Sequence, residues 1–186
     1  MKILLTLFVL LFSSSVFAED ISDFEIEGIS IGDSALKYFT EEHIKKNEWD
    51  YPDSNKLYTR VQNDELPFFK TYDAVDFHYK TGDKNYIIHN VSGVLFYDNN
   101  IEDCYDKMDS IIYELTNIFP NAEKSTKDTW ALTQDKSGKS KVTDIYFTLE
   151  DGHVIVSCYD YSKEFGDQDH LDVGLDNEEV FKWLQF

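Results

Sequence analysis

The sequence predicts an α+β fold in which an antiparallel sheet carries helices packed on one face, in a single domain over residues 19–186. Three observations predict it. Residues Ala74 to Tyr97 alternate with period two around Thr81-Gly82-Asp83, as a hairpin or short meander does. Two apolar runs, Ile145 to Leu149 and Val154 to Cys158, flank Asp151-Gly152, the strongest short-range hairpin signal. Residues Ile101 to Phe119 carry the apolar stripe of an amphipathic helix. Strands and helices do not alternate regularly, which disfavours a doubly wound parallel sheet.

The elements follow in order. Met1-Lys2, an apolar run from Ile3 to Phe12 and small residues at Val16 and Ala18 make residues 1–18 a secretory signal peptide. The run is shorter than the ~20 residues of a bilayer span, and no later stretch is long and apolar enough, so no membrane span is expected in the mature chain. No cysteine stands at the cleavage point to take a lipid. Phe24 to Gly32 reads as extended, and Asp33-Ser34 and Thr40 are helix caps, the second opening Glu41 to Lys46. Residues 47–70 hold Pro52 and Pro67 and show no sustained period, although Leu57 to Gln62 reads as a strand. Asn99-Asn100 caps the long helix, whose first turn is acidic as the helix dipole favours, and Pro120 stops it. Thr129 to Leu132 and Leu171 to Leu175 are further strands, and Asn177 caps a terminal helix using Val180, Trp183 and Leu184.

The chain of 186 residues carries 36 acidic against 17 basic residues, net −19, and loss of residues 1–18 removes one lysine and no acid. Such a surface repels nucleic acid and anionic lipid and attracts cations and basic partners. It also serves solubility in a secreted space. A domain of this length can bury roughly 70% of its unfolded surface, enough for a core without metals.

A turn at Asp151-Gly152 would pair Leu149 with Val154, Phe147 with Val156 and Ile145 with Cys158, placing Cys158 on the apolar face of the hairpin. Cys104 lies on the apolar stripe of the long helix. If that helix packs on that hairpin, the two sulfurs meet. In an exported chain such a pair is most simply a disulfide bond, the alternative being two separate buried thiols.

Gly28-Ile29-Ser30-Ile31-Gly32 matches the letter of a nucleophile elbow, and His153 and His170 follow it, so Ser30 is the candidate nucleophile of a hydrolase. The match comes too early in the chain for the parallel strands that fold requires. Gly138-Lys139-Ser140 resembles the end of a phosphate-binding loop, but Thr133 occupies the position of its first glycine, leaving a polar turn. Asp167, Asp169 and Asp172 gather hard oxygen ligands beside His170, as a calcium site would. The glycine and distal glutamate of a helix-loop-helix calcium loop are missing, which favours a solvated acidic loop. Tyr146, Tyr159 and Tyr161 alternate with core positions and form either a sugar- or peptide-binding stripe or the floor under a second helix layer.

The segment Gly28 to Phe39, with its Ile-Gly-Asp-Ser turn into a helix, resembles the start of a group of small exported bacterial proteins of unassigned function. That group shares a helix beginning near a cysteine and a hairpin carrying a second cysteine before an aromatic, matched here by Cys104 and Cys158-Tyr159. The chain is also similar in part to small envelope modules with helices on an antiparallel sheet, such as the accessory lipoprotein of the outer-membrane assembly machinery. It departs from these in lacking a lipid-anchor cysteine and in being longer. The first resemblance implies no activity, and the second is an analogy of fold.

These observations together lead to the expectation of an acidic, disulfide-bonded binding or interaction module, not an enzyme, exported to the periplasm or the extracellular space. The expected ligand is a basic protein surface, a cation or a glycan, and no nucleic acid. A hydrolase using Ser30 and a calcium-binding module are the alternatives.

Overall fold

The computed structural model describes residues 20–49, 56–64, 68–97 and 100–184. The expected signal peptide and Asn99 lie outside these residues. Nine strands are described: β1 (Glu48–Trp49), β2 (Tyr58–Asp64), β3 (Ala74–Lys80), β4 (Ile88–Tyr97), β5 (Glu123–Lys124), β6 (Asp128–Ala131), β7 (Lys141–Thr148), β8 (Gly152–Asp160) and β9 (Asp169–Asn177). They form one antiparallel sheet in the order β1-β2-β3-β4-β9-β8-β7-β5, with β6 also paired to β7. The helices are α1 (Glu41–Lys46), α2 (Ile101–Ile118) and α3 (Glu178–Leu184).

This corrects the expected fold class. The protein is sheet-dominated, not a balanced α+β fold with helices on one face. Moreover, its helices lie on both faces. Helix α2 packs its buried Cys104, Met108, Ile111 and Leu115 against the face that carries Val154, Val156 and Cys158 of β8. Helix α3 lies on the other face, where Phe181 stacks on His153 and Trp183 meets Tyr58 and His78. The physical reason for the mismatch is that the second face is also partly buried but polar. Along β3 every residue from Ala74 to Tyr79 is buried, Asp76 and His78 included. Polar alternate positions in a strand ordinarily mark a solvent face, so the burial of this second face has no hydrophobic signature.

The apolar face holds the main core. Val91, Val154, Val156, Leu171 and Val173 lie on the face that α2 covers, and the N-terminal segment adds Ile21, Phe24, Ile29, Ala35, Ile44 and Phe39, which stacks on Phe77 of β3. Local signals set the ends of the elements. Thr40 Oγ1 accepts from His43 N at 3.2 Å to open α1, and Asn177 Oδ1 accepts from Val180 N at 3.0 Å to open α3. Residues Ile26–Ile29 close a two-residue turn with Glu27 at φ 52° and Gly28 at φ 82°. The Glu27 carboxylate accepts from the amides of Lys70, Thr71 and Tyr72 at 2.9, 2.6 and 3.0 Å, tying this turn to the start of β3.

Cys104 and Cys158 form a disulfide bond. The hairpin register that led to it differs from expectation by two residues: Phe147 pairs with Val154 and Ile145 with Val156, while Cys158 pairs with Thr143. The turn is Glu150-Asp151, with Leu149 N donating to Gly152 O at 2.8 Å. A slip of two preserves which face each side chain occupies. Cys158 therefore still points at α2.

Candidate functional site

The sheet's second face forms a groove of about 450 Å³ across β2, β3, β4, β9 and β8, limited at one end by Leu184 of α3. Its floor follows from the strand registers, since directly paired residues share a face. One row runs Arg60, His78, Asn90, Asp176 and the next Gln62, Asp76, Ser92, Gly174, Ile155. Asp172 pairs with Ser157 in a third row, and Tyr159 with His170 in a fourth.

The polar groups form two bonded sets. Arg60 Nε donates to Asp76 Oδ2 at 2.8 Å, its Nη2 donates to the same oxygen, and its guanidinium carbon lies 5.7 Å from the centroid of the Trp49 ring. Asn90 donates through Nδ2 to Asp176 Oδ1 and presents Oδ1 to His78 Nδ1 at 2.7 Å. That orientation assigns the His78 proton to Nδ1. Burial pushes the His78 imidazole down to about 4, so it is neutral at pH 7.

The carboxylates are in the opposite condition. Asp76 is 3% exposed and Asp176 1%, and each keeps one oxygen, Oδ1 and Oδ2 respectively, with no hydrogen-bond partner. Burial pushes Asp176 up to about 7. Burial, followed by the nearby Asp76 charge, pushes Asp172 up to about 7. Asp76 is raised by burial despite Arg60. A buried carboxylate oxygen without a donor costs on the order of 1–3 kcal/mol, so the floor has unmet capacity to accept hydrogen bonds.

Aromatic rings wall one end. Tyr159 stacks on His170 with centroids 4.5 Å apart and on Tyr161 at 5.9 Å, and Tyr161 stacks on Phe165 at 5.4 Å. Outside the groove Tyr146 packs under Phe181 of α3. A helix therefore covers Tyr146, as one of the two readings of the tyrosines has it, while Tyr159 and Tyr161 line the groove.

The sequence candidates are placed as follows. Asp167 and Asp172 line the groove, but Asp169 does not: on β9 it belongs to the opposite parity, and its Oδ1 accepts from Tyr161 N at 2.8 Å. Among the described residues no group of three or more His, Cys, Asp and Glu side chains is placed to hold one metal ion. Ser30 is half-buried beside the buried Ile29, and it follows a two-residue turn, not a strand-to-helix elbow. It does not line the groove, and no hydrogen bond among the described residues joins its hydroxyl to an imidazole. Gly138-Lys139-Ser140 wraps a carboxylate of its own. Asp135 accepts from the amides of Ser137 and Ser140 and from the hydroxyls of Ser137, Ser140 and Ser162, which together hold it well below the usual carboxylate range. An anion thus already occupies the cradle.

Arg60, Asp76, His78, Asn90 and Asp176 were missed by sequence reasoning. The available signal was ionisable residues at alternate positions of strands: Asp76 and His78 on β3, Asp172 and Asp176 on β9. A second depression of about 660 Å³ lies beside Glu41, Glu48 and Tyr79, but its acids are engaged: Glu41 with Lys45 and Tyr86, Glu48 with Tyr79. No described helix is long and apolar enough to cross a membrane. No family model matches the chain, and no curated protein and no solved structure matches it either.

Proposed function

We propose that this chain is an exported, non-enzymatic binding module whose ligand lies in the polar groove of the sheet's second face. The observation that carries the proposal is the pair of unpartnered carboxylate oxygens, Asp76 Oδ1 and Asp176 Oδ2, buried at the floor of an accessible groove. Buried polar groups in folded proteins are almost always satisfied, and a ligand bearing donors satisfies these. The stacked rings of Tyr159, Tyr161 and His170 supply the apolar contact that small-ligand sites combine with a few placed polar groups. A basic protein surface and a glycan bring donors, a metal cation would take the oxygens as ligands instead, and the net charge of −19 steers the protein surface and the cation. Export is supported by the signal-peptide pattern of residues 1–18 and by the disulfide, which persists in oxidising compartments.

The test is a nitrogen–proton NMR titration of the disulfide-intact protein with a lysine-rich peptide, spermidine, maltose and calcium chloride. A ligand of the proposed site shifts the amides of Ser92, Ser157, Asp172 and Asp176 together. If every probe leaves those amides in place, the groove is not the site.

A further inference from the structure

We infer that the groove is a receptor site for organic ammonium groups, received by the carboxylate of Asp172, next to the aromatic wall of Tyr159 and His170, or by that of Asp176. The inference rests on the groove being a ligand site and names the chemistry of what enters it.

Charge balance is the first argument. The groove is lined by four carboxylates, Asp76, Asp167, Asp172 and Asp176, against the single guanidinium of Arg60, which is bonded to Asp76. A buried charge is tolerated when paired. Burial penalises the charge of Asp172 and Asp176, and a cation entering the groove supplies the countercharge.

The second argument is donor chemistry. What the floor lacks is donors for Asp76 Oδ1 and Asp176 Oδ2. An ammonium carries three donors and no acceptor, whereas each hydroxyl of a sugar brings acceptor lone pairs as well. The groove already contains one cation held in this way, Arg60 set between the Trp49 ring and Asp76. Tyr159 and His170, stacked on each other, line the groove in the row next to Asp172 and supply aromatic surface at that end.

Spacing is the third. Asp172 and Asp176 stand four residues apart on one strand, roughly 13 Å along it, and β3 lies two strands from β9, roughly 10 Å away. Such separation is too wide for the first shell of one metal ion, whose oxygen ligands lie at about 2.0–2.6 Å. It suits an elongated chain with a charged end. Between the two acids the floor has no side chain at Gly174, which pairs with Ile155; the polar atoms Ser92 Oγ, Asp172 Oδ1 and Asn90 Nδ2 gather 3.1, 3.5 and 3.7 Å from where its Cβ would stand. The apolar contact for an alkyl stem is Ile155, beside this polar cluster.

The ammonium can belong to a free polyamine or to a lysine side chain of a partner protein. Isothermal titration calorimetry on the disulfide-intact protein separates them, with spermidine, cadaverine and a lysine-rich peptide as probes, and acetylated cadaverine, maltose and calcium chloride as comparators. Spermidine, cadaverine or the peptide should bind, and each of Asp172→Asn and Asp176→Asn should weaken binding roughly tenfold or more, as expected for loss of a charge-assisted hydrogen bond. Asp109→Asn, on the solvent side of α2 where its partner is Lys127, should change nothing. Because acetylation removes the charge at one end of cadaverine, loss of binding by the acetylated form supports the inference even if a variant fails to fold. Tighter binding of the peptide than of spermidine assigns the site to a protein partner, and the reverse assigns it to a free polyamine. Maltose or calcium binding in the groove while the amines are inert overturns the inference and leaves the groove a ligand site. Absence of binding by every probe overturns both.

Discussion

Gly152 packs directly against the main-chain carbonyl of Asp176: a Cβ on this glycine would stand 2.2 Å from that oxygen. The contact explains why the hairpin turn is Glu150-Asp151, one residue earlier than Asp-Gly chemistry suggests. Gly152 is not among the residues at positive φ. It permits β8 to approach β9 at its pairing with Asn177.

Gly152→Ala is therefore expected to destabilise by about 2 kcal/mol or more, because backbone must move to admit the methyl group. Gly28→Ala meets no atom within 4 Å and costs only the left-handed conformation, about 1 kcal/mol. Chemical denaturation of the two variants checks the order.

The carboxyl of Asp176 ties stability to pH. Its folded value of about 7 lies above the ordinary 3.8, so between these values the folded state binds more protons than the unfolded, and this contribution to stability falls as pH rises. His78, lowered to about 4, contributes a slope of opposite sign between about 4 and 6.5. The two overlap in the wild-type profile, but Asp176→Asn isolates the first. The variant should match the parent near pH 3, where the carboxyl is protonated in both states, and exceed it at pH 8 by up to about 4 kcal/mol, as read from chemical denaturation at both values.

The disulfide closes a loop with a sequence separation of 54 and fastens α2 to β8. Chain-entropy arithmetic gives about 4 kcal/mol for such a loop. Cys104→Ala with Cys158→Ala should lose about that much in guanidinium denaturation, and reduction of the parent should reproduce the loss.

Glu27 offers a test of the N-terminal tether. Its carboxylate receives three backbone amides from residues 70–72. Glu27→Ala should cost about 2 kcal/mol and raise amide exchange at Lys70, Thr71 and Tyr72 ahead of β3 itself.

Much of the fold was legible in the residues. Thr40 and Asn177 cap the helices they were expected to cap, α2 begins at Ile101, and the parity of Cys158 survived a wrong register because the slip was even. The sheet's extent and its second buried face were not legible. Asp76, His78, Asn90 and Asp176 are buried without being apolar, and alternation of polar with apolar residues does not separate a polar groove from open solvent. The pairing of β4 with β9, which brings Asn90 to Asp176, joins residues far apart in the chain, and no local pattern encodes it. Asp172 was singled out for the wrong neighbours: strand parity separates it from Asp169 and joins it to Asp76 and Asp176.

The most direct test is a crystal structure of the disulfide-intact protein determined with spermidine. The expected result is a ligand nitrogen within hydrogen-bond distance of Asp176 Oδ2 or of the Asp172 carboxylate, with the alkyl chain over Gly174 and Ile155. Density for spermidine elsewhere on the acidic surface, with only water over those carboxylates, would contradict the assignment of this groove as the binding site.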